Sequence, residues 1–68
     1  MIGAMRKTIG NYFVREGGSA AGYTVGIHNK KEGYFSRPAY SQTYQNEEFA
    51  KTVYRNLATV TAIRRWIR

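Results

Sequence analysis

All seven glycines and the single proline of the chain fall before residue 39, and neither residue type occurs from 46 to 68. Glycine and proline are the strongest local breakers of regular structure. Their distribution divides the chain into a first part of short elements joined by turns and a second part free to form a long helix. Asn46 is a good N-cap, and Glu47 and Glu48 occupy the first turn, where the helix dipole favours negative charge. Arg64, Arg65 and Arg68 stand at the other end, where it favours positive charge. These signals predict one helix over about 47–66.

At about 100° per residue, Phe49, Ala50, Val53, Leu57 and Val60 share one face of that helix, with Ile63 and Ile67 at its edge. Two residues break the pattern. Arg64 projects near the centre of the apolar stripe. Trp66 projects to the opposite side, in line with Lys51, Arg55, Thr59 and Ala62. Either the last turn frays or changes direction after Ile63, or the second face docks a partner. Trp and Arg are the residue types most enriched at binding hot spots.

Before the helix, three stretches read as strands. Residues 7–16, "KTIGNYFVRE", are rich in β-branched and aromatic types. "GGSAAG" (17–22) reads as a loop. Residues 23–29 alternate, with Tyr23, Val25 and Ile27 on one face. "NKKEG" reads as a turn, and 34–40, "YFSRPAY", as a third strand. Pro38 cannot donate to a ladder, so this strand is expected at a sheet edge. Alternation buries only one of Tyr34 and Phe35, and Phe35 is the better core candidate. The expected architecture is α+β, a three-stranded antiparallel meander packed on one long C-terminal helix (βββα), in a single domain spanning 1–68.

A chain of 68 residues buries roughly 60% of its unfolded surface, so its stability margin is thin. It has no cysteine to add a disulfide or thiolate metal site. Efficient packing, or a partner or second copy, must complete the core, and a homodimer is one expectation. No signal peptide, myristoylation pattern or membrane span is visible. The expected setting is the cytoplasm of a host cell, with no membrane partner.

Catalytic chemistry finds little support. His28 is the only histidine, no metal-ligand spacing occurs, and Glu47 and Glu48 diverge by about 100° on a helix. Neither a nucleophile elbow nor a phosphate loop is present. No enzyme, cofactor or metal is expected.

Binding is the broader signal. Eleven Lys and Arg oppose four Glu, a net charge of +7, which steers a protein toward polyanionic partners. Tyrosine and arginine stack on bases and neutralise phosphates, and they also favour protein interfaces. The expected partner-binding residues are Lys30, Lys31, Tyr34, Arg37, Tyr40, Tyr44, Lys51, Arg55, Arg64, Arg65, Trp66 and Arg68.

The order of three strands and a helix entered through "QNEEFAKTVYRNL", with its Glu47-Glu48-Phe49 start, resembles two DNA-binding units over about residues 10 to 58. These are the arm-site-binding domain of tyrosine recombinases and the plant ethylene-response-factor-type domain. The resemblance implies a sheet that reads the major groove with the helix behind it. The plant family's tryptophan- and arginine-rich strand signatures are absent, so no base-contacting residue carries over. In size and composition the chain is similar to phage and mobile-element accessory proteins, including anti-CRISPR proteins. That resemblance implies an inhibitor docking on a nucleic-acid-handling machine. The expectation is therefore a non-enzymatic, phage-type inhibitor of a host nucleoprotein complex such as a CRISPR effector. Direct DNA or RNA binding through the sheet face and basic residues is the alternative.

Overall fold

A computed structural model describes residues 5–32 and 38–68, the Glu32 side chain excepted. The α+β class holds, but the expected three strands and one long helix are replaced by four strands and two short helices. Strands β1 (Met5–Ile9), β2 (Tyr12–Ser19), β3 (Gly22–Asn29) and β4 (Tyr40–Tyr44) form an antiparallel sheet in the order β1-β2-β3-β4. A 3-10 turn at Lys30–Glu32 follows β3. Helices α1 (Glu47–Asn56) and α2 (Val60–Ile67) complete the chain.

The stretch 7–16 is not one strand because Gly10 and Asn11 turn it back on itself. Ile9 pairs with Tyr12 across a two-residue loop. Gly10 has φ 57, the left-handed value that suits glycine at the first central position of a tight hairpin. A Cβ on Gly10 would also stand 2.6 Å from Val60 Cγ2, so the turn accepts no larger residue without a shift. In "GGSAAG", expected as a loop, β2 instead continues through Gly17 and Gly18 to Ser19, and only Ala20 and Ala21 turn. Gly22, at φ 131, lets β3 start against the Tyr44 carbonyl, 2.7 Å from where a Cβ would lie.

Most of the expected strand 34–40 lies outside the described residues. The observed last strand begins where that one was to end. Pro38 and Ala39 precede it, and "SQTY" continues it to Tyr44. Pro38 therefore removes no ladder donor. It lies over the sheet, 3.8 Å from the position of a Cβ on Gly26.

The helix breaks at Leu57–Thr59 without glycine or proline. A continuous helix over 47–67 would be about 31 Å long, more than the 28 Å longest extent of the molecule. Thr59 supplies the restart. Its backbone is extended (φ −137, ψ 159), and its hydroxyl accepts from Ala62 N–H at 3.1 Å. The break puts both Leu57 and Ile63 into the core, at 3% and 0% exposure. It also resets the phase of the last turns. Arg64 leaves the stripe and becomes exposed. Trp66, expected on the opposite side, is half-buried against the core.

That core joins Val14, Val25 and Ile27 of the sheet to Ala50, Tyr54, Leu57 and Ile63. Each such aliphatic side chain, fully buried, contributes about 1.5–3 kcal/mol. The expected apolar face of α1 is rotated accordingly. Val53 and Val60 are only half-buried, and Phe49 is 55% exposed.

Candidate functional site

Directly paired residues of an antiparallel sheet share a face, so the register sorts the sheet into two. The helix-covered face carries the rows Met5–Glu16–Val25–Gln42 and Lys7–Val14–Ile27–Tyr40. The helix-free face carries Arg6–Arg15–Gly26–Ser41, Thr8–Phe13–His28 and Gly17–Thr24–Thr43.

Charge is segregated along the strands. At one end lie the Gly10–Asn11 turn, the end of β3 with Lys30 and Lys31, and the start of β4. Lys30 N–H donates to the Asn11 carbonyl at 2.9 Å. Helix α2 crosses this end: Val60 meets Gly10, and Trp66 packs edge-on against Tyr40 with ring centroids 4.9 Å apart. Arg64 and Arg65 on α2 and Arg68 at its C-cap are exposed, as are Lys30 and Lys31 on their turn. Arg55, in the last turn of α1, is also exposed and donates to Thr52 Oγ1 at 3.3 Å. Beside these cations an open groove of about 360 Å³ is lined by Val53, Asn56, Leu57, Ala62, Arg65 and Trp66.

The opposite end is acidic. Glu47 and Glu48 sit in the first turn of α1, near the Ser19–Gly22 turn, whose groove Glu47 helps to line. Lys51 belongs to this end rather than to the basic one. It pairs with Glu47 at 3.5 Å, an exposed i,i+4 contact worth about 0.3–0.5 kcal/mol. Glu16 is 2% exposed on the helix-covered face, and its Oε2 has no hydrogen-bond partner. Burial raises its pKa above 4.5, Lys51 pulls it down and Glu47 pushes it up.

On the helix-free face, Arg6 and Arg15 are register partners, and like charges directly opposite each other are destabilising. No acidic residue stands in the three rows of that face. His28, 3% exposed, lines a small pocket there with Arg15, Glu16, Gly17, Thr24, Gly26 and Pro38. Among the described residues no cluster of His, Cys, Asp and Glu could hold a metal ion, and no helix is long and apolar enough to cross a membrane.

Of the expected partner-binding residues, Lys30, Lys31, Arg55, Arg64, Arg65, Trp66 and Arg68 are gathered with Tyr40 at or toward the basic end. Tyr44 lies at the far end of β4 and packs edge-on against Phe49, centroids 5.0 Å apart. Lys51 is at the acidic end, so Lys51, Arg55 and Trp66 do not form one face. Tyr34 and Arg37 lie outside the described residues. Sequence reasoning left Arg6, Arg15 and Phe49 out. The signal for the first two was the Gly10–Asn11 hairpin, which alone sets them opposite each other. No family model, curated protein or solved structure matches the chain.

Proposed function

We propose that the protein is a small non-enzymatic inhibitor that docks its basic end on an acidic or phosphate-bearing face of a host nucleic-acid-processing complex, of which a CRISPR effector is the leading case. The observation that carries this reading is the segregation of charge. Five exposed cations, Lys30, Lys31, Arg64, Arg65 and Arg68, share one end with the Tyr40–Trp66 pair and the groove beside it. A cationic rim around an aromatic and apolar centre suits a protein hot spot, and the long-range field speeds encounter with an anionic partner.

The test is affinity capture from bacterial lysate with and without nuclease, followed by a target-binding assay on a purified CRISPR effector. Nuclease-resistant capture, loss of effector binding to target DNA, and relief of both by Arg64→Glu with Arg65→Glu are the expected results. Capture abolished by nuclease would refute the docking reading.

A second reading, direct binding of DNA or RNA through the helix-free sheet face, is favoured by the Arg6–Arg15 pair. Two arginines held opposite each other, in rows without an acid, suit phosphate contact. It requires binding to naked duplex or single strands that weakens steeply with salt.

A further inference from the structure

The two edges of the sheet are treated differently. Natural edge strands are commonly guarded against pairing by charged side chains, lysine above all, or by proline. Edge strand β1, "MRKTI", carries Arg6 and Lys7. Edge strand β4, "YSQTY", carries no charge and no proline. Among the described residues nothing extends the sheet beyond it. Alternate residues of such an edge present backbone N–H and C=O groups outward.

We infer that β4 pairs antiparallel with β4 of a second copy, joining two sheets across a two-fold axis at Gln42. Three features of this edge are self-complementary, as a two-fold contact requires.

The first is the strand. "YSQTY" has the same residue classes in both directions. Pairing about Gln42 sets Tyr40 opposite the partner subunit's Tyr44, and Ser41 opposite the partner subunit's Thr43. Hydroxyl pairs of this kind already form within the sheet, where Thr24 Oγ1 and Thr43 Oγ1 are 3.0 Å apart.

The second is the aromatic flank. Each end of β4 carries a tyrosine packed edge-on against a helix aromatic, Tyr40 on Trp66 and Tyr44 on Phe49. The two-fold brings the Tyr44–Phe49 end of each copy beside the Tyr40–Trp66 end of the other. Phe49 is the one large apolar side chain in the described residues that is exposed, at 55%, and this contact would cover it.

The third is charge. The same operation sets the acidic end, with Glu47 and Glu48, beside the partner's basic end. A parallel arrangement would instead oppose like ends. Two carboxylates, one of them already paired with Lys51, against three arginines leave each basic end still net positive, with Lys30 and Lys31 beyond them. The pairing stands on these observations and not on the identity of any target.

Sedimentation equilibrium over a concentration series tests it. The chain should approach twice its 7.8 kDa mass. Gln42 is exposed, so Gln42→Lys and Gln42→Glu should each keep the fold by circular dichroism and sediment as monomers, because each sets like charges opposite one another at the axis. An equal mixture of the two variants should restore the dimer. Phe49→Ala should weaken dimerisation by roughly tenfold or more. A wild-type chain that stays monomeric at its highest soluble concentration overturns the inference, as do dimers that persist in both charge variants.

Discussion

Lys7 reaches from the first strand to the end of α1, where its Nζ donates to the Tyr54 carbonyl at 2.8 Å and stands 4.3 Å from the centroid of the Tyr54 ring. Cations are favoured at helix C-termini, and Lys7 also makes a cation–π contact there. Burial lowers the Lys7 pKa from 10.5, so these contacts offset part of a desolvation cost. Lys7→Ala loses both contacts but also relieves that cost, so it should lower stability by less than about 1 kcal/mol. A melting temperature equal to that of the wild type would show that the contact is neutral.

Leu57 and Val53 separate the observed core from the one expected of a straight helix. Leu57, at the break, is 3% exposed, whereas Val53 borders the open groove. Leu57→Ala should cost about 2–5 kcal/mol, a large share of what a small domain has. Val53→Ala should cost clearly less. Equal losses in urea titrations would return the core to the unbroken-helix face.

Glu16 makes stability depend on pH. Burial is the largest cause of its raised pKa, which lies above the reference value of 4.5. A raised carboxyl pKa means that the folded protein binds the proton more tightly than the unfolded chain does. Its contribution is fully present below 4.5 and is lost as pH rises through the folded value. Glu16→Gln should be more stable than the wild type at neutral pH, with the gap closing toward acid. Thermal melts at acid and neutral pH read this out, and a gap that widens toward acid contradicts it.

Arg64 and Arg65 are exposed, while Trp66 packs on Tyr40 and the core. Both arginines stand in the last turn of α2, where the helix dipole favours cations, so reversing both to glutamate should lower stability by about 1 kcal/mol while slowing association with an anionic partner. Trp66→Ala should reduce both stability and binding. A fully stable Trp66→Ala chain would mean that the ring serves only the partner.

How much of this was legible in the chain differs by element. The α1 start was, because Asn46 caps it as read: its side chain accepts from Phe49 N–H at 3.0 Å. The faces of β3 were as well, since Val25 and Ile27 share the helix-covered side, although Gly26 and His28 on the other side are buried too. The helix break was not, because Thr59 becomes an N-cap only when the finite length of the sheet makes a straight helix unprofitable. Nor was the Gly10–Asn11 hairpin, a two-residue signal inside a run that reads as one strand. The errors in the site follow from these two. The phase of Trp66 and Arg64 depends on the break, and the Arg6–Arg15 opposition depends on the hairpin. Glu16 carried no sign of burial, which comes from Met5 and Val25 beside it in the register and from α1 above.

Helix α2 meets the first hairpin at Gly10 and the last strand at Tyr40, so one short segment touches both margins of the sheet. Its inner residue, Ile63, is fully buried in the common core. Lifting α2 therefore loosens the two outermost strands together and opens the core between them. Amide exchange in β1 and β4 should then report a single shared opening with α2, so that the outer strands fail as a unit instead of fraying one at a time.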